Sequence, residues 1–510
     1  MTEAIGYVRL IERYRLRALM PRIASQINSA VHGRRVRNDE RQVVQEFQPS
    51  YRPEDSLAGD LQFAFRYEGL NLIVLDSLFE SVGDARILSI INAQPQSAFS
   101  RRLGYLYEWL TGRPLQLAEL TISPKASYIP ALDEQLQFGF NPKKSPRNTK
   151  YRVVENLPGN RDFCPIVSRT LYLESMLNKN LKQRTQETLA KYDTALLQRA
   201  ASFLYLKETQ SSFDIEHERP SPDRARRFAD LLRAAEAGAP LSEDRFLELQ
   251  NAVVDARFRE ASFRTQQNWI GDSGYGYRPR VSLVPPRPVD VPTLMQGLID
   301  FSEVLRKNPD LMDPVIAATS ISFGFVFIHP FMDGNGRLHR YLIHEQLSAA
   351  GFTPKGIVLP VSAVILANLE QYNDALISFS RPVNALTTYD PELPQQQARG
   401  NDARYFKFFD ATEQASFLFS AIGRTVEHDL DEEISFLLGF DRAKKLLNEM
   451  LDWPGQTLDT FIQVVHQNGG RLSINKRKAH FDWMSDDEVR RAEQMVAESF
   501  QPDGPVSPSP

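Results

Sequence analysis

The chain has 510 residues, 42% of them hydrophobic and 24% charged, with a net charge of −4; that is enough chain for several buried cores, and it excludes nucleic-acid binding driven by overall charge. The one cysteine, Cys164, excludes an internal disulfide and any multi-cysteine metal site, and suits a reducing compartment. No apolar run approaches the ~18 residues needed to cross a membrane and no secretory leader is visible, so a cytoplasmic location and no membrane partner are expected.

Taken in order, Met1 to Arg41 interleaves arginines (Arg9, Arg13, Arg15, Arg17, Arg22, Arg34, Arg35, Arg37) with Ile5, Val8, Leu10, Leu16, Ile23 and Ile27, a pattern that predicts amphipathic helix with a solvated basic face. Leu61 to Leu78 and Ser100 to Leu115 read as helices, the second stopped at Gly112-Arg113-Pro114. Residues 121–159 carry Lys143, Lys144, Arg147, Lys150 and Arg152 among prolines and short β-like pieces, a loop-and-hairpin region. Helix returns over Asp162 to Leu206. In the stretch that follows, the residues alone allow Ser212 to cap a helix and Glu216 to be a surface acid. Asp223 to Ala237 and Ser242 to Arg259 are further helices. Two β-capable runs around Gly274 predict a hairpin over 268–284, with Tyr275 and Tyr277 at its turn.

Val291 to Arg306 is helical, and Val315 to Ile328 is apolar enough to be a buried helix. Pro330 disfavours the α region at His329, so that helix ends there. A second helical pattern follows, through Leu338, Tyr341, Leu342, Ile343 and Leu347. Between them lies Ile328-His329-Pro330-Phe331-Met332-Asp333-Gly334-Asn335-Gly336-Arg337-Leu338-His339-Arg340. The unpaired N–H groups that open the second helix make an anion site, and Gly334 and Gly336 let a phosphate approach the backbone. Arg337 and Arg340 share a helix face beside it. Asp333 is a hard ligand of the kind Mg²⁺ takes, and His329 is suited to accepting a proton from a hydroxyl. His339 and His344 have no paired ligand spacing and read as packed or surface histidines.

Val361 to Phe379 is another helix. Residues 387–402, rich in proline and glutamine, read as a linker. Phe406 to Phe440 and Asp441 to Leu451 are helical. The turn Asn468-Gly469-Gly470-Arg471, with Lys476, Arg477 and Lys478 beyond it, fits a small basic helical module. Ser485-Asp486-Asp487-Glu488 is a capping box, and 501–510 is a disordered tail.

His329 to Arg340 matches without a gap the pattern H-x-F-x-(D/E)-G-N-(G/K)-R-x-x-R, all of its fixed positions included, and by it the chain resembles the Fic family. The resemblance covers about residues 195–380. It implies a mainly α fold: a Fic-type helical core with a small β-hairpin flap, here with helical N- and C-terminal regions. The expected organisation is an N-terminal region at 1–160, a Fic core at 161–386, the linker, a C-terminal module at 403–500 and the tail. The implied activity is protein adenylyl transfer from ATP with Mg²⁺ to a Tyr, Thr or Ser hydroxyl of a target protein, with self-modification and a homodimer compatible with it.

In that resemblance His329 is the general base and Asp333 holds Mg²⁺. Gly334, Asn335 and Gly336 cradle the phosphates, Arg337 neutralises the leaving pyrophosphate and Arg340 places the γ-phosphate. Ser212 and Glu216 resemble the family's inhibitory motif, (S/T)-x-x-x-E-(G/N), on a helix at about 208–220, with a departure at His217. A second Glu-Gly, at Glu68-Gly69, lacks the hydroxyl residue. Glu216 paired bidentately with Arg340 would take the place of the γ-phosphate. The hairpin at 268–284, with Asn268, Gly274, Tyr275 and Tyr277, corresponds to the flap that docks a target segment by strand pairing. Two other readings stay open: a Fic enzyme that uses another nucleotide or phosphate donor or removes AMP, and a non-catalytic regulator that binds DNA or a partner through its C-terminal module.

Overall fold

The computed structural model describes residues 2–38, 42–116, 122–123, 125–235, 239–272, 279–354, 356–393, 398–454 and 457–500. The expected tail at 501–510 and the flap residues Gly274, Tyr275 and Tyr277 lie outside them.

The fold is mainly α, but it begins with a sheet. Strand β1 (Thr2–Ile5), helix α1 (Gly6–Tyr14) and strands β2 (Ile23–Asn28), β3 (Arg34–Asn38) and β4 (Val43–Phe47) replace the expected arginine-rich helix, of which α1 alone survives. The sheet order is β1-β2-β4-β3, with β2 and β4 parallel. Burial alternates along β2, with Ser25 and Ile27 inside, and Ile5, Ile27 and Phe47 pack on Phe63. That period of two decides for strand. Arg13, Arg15, Arg17, Arg34, Arg35 and Arg37 are exposed, as expected of a solvated face, whereas Arg9 is drawn inward, its Nε donating to the buried Asp60 carboxylate at 2.8 Å.

Helices α2 (Leu57–Tyr67), α3 (Leu72–Ala93) and α4 (Ala98–Thr111) follow. Gly112, at φ 67, ends α4 in the left-handed conformation that glycine adopts cheaply. The basic loop region holds two-residue strands β5 (Ile129–Pro130), β6 (Gln137–Phe138), β7 (Arg147–Asn148) and β8 (Val153–Val154); helix does not return at Asp162 as expected, because β9 (Val167–Ser168) pairs with β6 first. Then come α5 (Leu171–Asn178), α6 (Leu181–Leu189), α7 (Thr194–Asp214), α8 (Pro222–Ala234) and α9 (Glu243–Val253), the antiparallel hairpin β10 (Ile270–Asp272) and β11 (Arg280–Leu283), and α10 (Val291–Lys307).

At the centre stand α11 (Pro314–Ile328) and α12 (Asn335–Ala349). Every residue of α11 from Val315 to Ile328 is buried, as a helix apolar on all sides must be. Asp313 caps it, accepting from the N–H groups of Val315 and Ile316 at 2.9 and 3.2 Å, and Pro314 fills the first turn, where no N–H partner is needed. Helices α10 and α16 (Thr412–Arg424) pack on α11, while α7, α8 and α9 pack on α12.

The chain continues through α13 (Val361–Ala367), α14 (Leu369–Leu386), α15 (Ala403–Lys407) and α16, a π turn at Thr425–Asp429, α17 (Leu430–Met450), α18 (Thr457–Gln467), α19 (Ile474–His480) and α20 (Asp486–Ser499). The capping box at Ser485 and Glu488 is formed. Within the stretch expected to be a linker, Thr388 and Arg399 exchange backbone hydrogen bonds of 2.8 and 3.0 Å. The boundary expected at 403 does not fall between cores. Tyr405, Phe409, Leu418 and Ile434 belong to the main core, and a separate core begins only at Ala443 and runs to Val496. No helix among the described residues is long and apolar enough to cross a membrane.

Candidate active site

The site is the junction of α11 and α12. Past Ile328, His329 takes left-handed angles, φ 52 and ψ 60, a conformation that costs a non-glycine residue roughly 1–2 kcal/mol. Its Nδ1 lies 3.2 Å from the Val326 carbonyl. A carbonyl only accepts, so Nδ1 carries the proton and Nε2 keeps its lone pair. Burial, with the nearby Arg264 cation adding to it, pushes the imidazole down to about 3, and His329 is neutral at physiological pH.

The loop is braced from within. Phe331 is fully buried against the rings of Phe263 and Phe325. Asn335, expected among the phosphate-cradling groups, spends its side chain on the loop: Oδ1 accepts from Phe331 N at 3.1 Å and Nδ2 donates to Phe331 O at 2.8 Å. Asp333 Oδ1 accepts from Gly334 N at 2.6 Å and from Arg337 Nη2 at 2.9 Å. Gly334 caps α12 at φ 91, and a Cβ there would stand 2.9 Å from Val254 Cγ1.

Arg337 and Arg340, both almost fully buried, face the turn that follows α7, a helix packed on α12. The expected inhibitory helix at 208–220 is shorter at its end: α7 stops at Asp214, and Glu216 sits in the turn after it. Glu216 and Glu218 both donate their N–H groups to Phe213 O, at 3.0 and 3.1 Å. His217, between them, is left-handed at φ 55, which is the physical reason that glycine or asparagine suits this place.

Glu216 does not pair bidentately with Arg340. Its Oε1 accepts from Arg340 Nη2 at 2.7 Å, and its Oε2 lies 3.1 Å from Arg337 Nε, so the carboxylate bridges the two arginines. Ser212 holds Arg340 from behind: Arg340 Nε donates to Ser212 Oγ at 2.7 Å and Nη2 donates to Ser212 O at 2.6 Å. The other candidate, Glu68, is committed elsewhere. It is buried and accepts from Tyr7 N at 2.9 Å, and burial pushes its carboxyl up to about 7.

Several partners have no mark in the linear motif. Glu218 Oε2 accepts from Arg337 Nη1 at 2.8 Å and from Arg224 Nη2 at 2.9 Å. Glu260 Oε1 accepts from Met332 N at 2.8 Å. Glu208 on α7 accepts from His344 Nε2 on α12 at 2.7 Å and from Ser362 N on α13 at 2.8 Å, fixing the helix that carries Ser212 against the motif helix. His339 is buried with Nδ1 donating to Ser322 O at 2.8 Å, so both histidines are packed groups, as their spacing predicts. Asn268, two residues before β10, donates from Nδ2 to Phe331 O at 3.1 Å.

Residues 240–347 match the sequence pattern of the Fic/DOC family. This chain carries a domain of that family. The Fic match begins after the Ser212–Glu216 segment. Among curated proteins, the chain is similar to the protein adenylyltransferase Fic of Nematostella vectensis, 41% identical over 71 residues, or 14% of this chain and 16% of that one. It is also similar to the protein adenylyltransferase fic-1 of Caenorhabditis elegans, 32% identical over 142 residues, or 27% of this chain and 25% of that one. The chain therefore covers a quarter or less of the length of these relatives. Solved structures that align include a Fic family protein from Desulfovibrio desulfuricans G20, with 19% identity, 68% of this chain and 97% of that one covered, and a TM-score of 0.36. Fic-1 of C. elegans aligns with 15% identity, coverages of 74% and 95%, and a TM-score of 0.31.

Proposed function

We propose that this Fic-domain protein transfers AMP from ATP to a hydroxyl of a protein, and that Glu216 holds it in a self-inhibited state. The observation that carries the reading is the Glu216 carboxylate: an anion bridges Arg337 and Arg340 at the open end of α12, where the polyphosphate of a nucleotide would lie. The neutral His329, with Nε2 unprotonated, supports a base that takes the acceptor's proton as the hydroxyl attacks the α-phosphorus. Pyrophosphate leaves, and its charge develops against the two arginines. The hairpin β10–β11 beside the loop supports docking of an extended acceptor segment along its edge.

Mg²⁺ fits this donor set. Among the described residues no group of three or more His, Cys, Asp or Glu could hold a metal ion, so the single hard carboxylate of Asp333 suits a cation that arrives with the nucleotide and takes most of its ligands from phosphate and water. Bound there, the ion would neutralise phosphate charge.

The test is incubation with labelled ATP and Mg²⁺, comparing wild type, Glu216→Gly and Glu216→Gly/His329→Ala by intact mass. An added AMP on the single variant, weak on wild type and absent from the double variant, is the expected result. No label on any of them, with ATP bound, would overturn the reading.

A further inference from the structure

Arg264 lies outside the Fic motif and is buried to 4% exposure; the Glu260 carboxylate favours its charge from a distance, but none of the ion pairs among the described residues includes it. Its guanidinium is spent on carbonyls. Nε donates to His329 O at 2.8 Å, Nη1 to Gln266 O at 3.1 Å, and Nη2 to Pro286 O at 2.6 Å and Ile328 O at 3.4 Å. Its own N–H donates to Pro330 O at 2.8 Å. Gln266 precedes β10 and Pro286 follows β11. One planar fork therefore ties both roots of the flap hairpin to the end of the helix that presents His329.

The chemistry is self-consistent. The carbonyls of Ile328 and His329 come at the end of α11, where no further turn supplies N–H partners and the helix presents its negative end. A cation there is favourable, and charge-assisted hydrogen bonds offset part of its burial. Burial lowers the guanidinium to about 10, so it remains charged at neutral pH. His329 O belongs to the residue held in the left-handed conformation, and Arg264 anchors it. Two amides extend the tie: Gln267 Nε2 donates to Pro285 O at 3.1 Å, and Asn268 Nδ2 to Phe331 O.

We infer that Arg264 is a positioning residue that sets His329 and the acceptor-docking hairpin in one rigid frame, so that an acceptor aligned on the hairpin is delivered at a fixed distance from the base. Lysine cannot substitute for it, because a single ammonium cannot reach carbonyls from three directions in one plane. The consequence for catalysis rests on the adenylyl-transfer reading; the mechanical coupling does not.

The test places Arg264→Lys and Arg264→Met in the Glu216→Gly background. ATP affinity is measured by calorimetry, self-modification rate by intact mass, and local opening by hydrogen–deuterium exchange. The expected result is an ATP affinity within about threefold of the parent and a transfer rate lower by on the order of 10²-fold in both variants, the scale of a small misplacement of reacting groups. Exchange should rise together in 266–272, 280–286 and 329–332. Should Arg264→Met not fold, Arg264→Lys carries the test alone. Full rescue by lysine, a parallel loss of ATP affinity and rate, or exchange that loosens one segment without the others would overturn the inference. If the Glu216→Gly parent itself transfers no AMP, the adenylyl-transfer reading fails, while the exchange pattern still decides the role of Arg264.

Discussion

Glu216 occupies the space that a side chain at position 336 would fill: a Cβ on Gly336 would lie 2.2 Å from Glu216 Oε1. The carboxylate is thus seated against the first turn of α12. Removing it breaks charge-assisted contacts to two buried arginines. At roughly 1.5–3 kcal/mol for such a hydrogen bond, Glu216→Gly should raise the transfer rate about tenfold to a hundredfold, read as AMP added per minute.

Glu218 should be a second brake. It neutralises Arg337 together with Asp333 and draws in Arg224. In the Glu216→Gly background, Glu218→Ala is expected to raise ATP affinity further, by roughly three- to tenfold, on the scale of a partly exposed charge-assisted contact. In the wild-type background Glu216 still fills the site, and the same change should have little effect. Calorimetric titration of ATP against the four members of this cycle checks the coupling.

His217→Gly should tighten inhibition. Glycine relieves the left-handed strain at φ 55 but adds freedom to the unfolded chain, a net gain of roughly 0.5–1 kcal/mol to the inhibited turn. The basal self-modification rate of the full chain should then fall about two- to fivefold; an unchanged rate would mean that the turn does not limit opening.

The pH profile follows from His329. Burial holds its pKa near 3, below the ordinary 6.5, so the transfer rate of the Glu216→Gly variant should stay flat through pH 6.5 rather than fall there. The same shift acts on stability. Between about pH 6.5 and 3 the unfolded chain binds protons that the folded His329 and His339 refuse, so stability is lost as pH falls through that window, by up to about 1.4 kcal/mol per pH unit for each group. His339→Asn should make the slope of unfolding free energy shallower between pH 6 and 4 in urea titrations.

Much of this was legible in the linear chain because it depends on neighbours. The end of α11 at His329 follows from the ring of Pro330, the start of α20 from Ser485 and Glu488, and the start of α12 from the left-handed Gly334 before it. The whole run from His329 to Arg340 sits on two helices and one loop, so its spacing carries its geometry. The N-terminal sheet was misread for the opposite reason. Its β2–β4 pairing is parallel and joins segments 20 residues apart, Ile23 with Val43, and the local alternation of arginine with apolar residues suits helix and strand alike. The stretch 387–402 has linker composition, and the Thr388–Arg399 pairing within it joins residues 11 positions apart, beyond the reach of local pattern.

The sequence by itself determined the motif, its turn chemistry and the residue types able to bind phosphate and move a proton, since sterics at proline and glycine and the open ends of helices act over a few residues. Tertiary structure decided how those residues are used. Glu216 reaches Arg340 across 124 positions and Arg264 reaches His329 across 65, and such pairings are set by how α7, α9 and the hairpin pack around α11 and α12. The bridging Glu216 carboxylate, the Glu218 contact to Arg337 and the Arg264 guanidinium between His329 and the ends of the hairpin form because buried charges must find partners, and which partners they find is fixed only when the helices are in place.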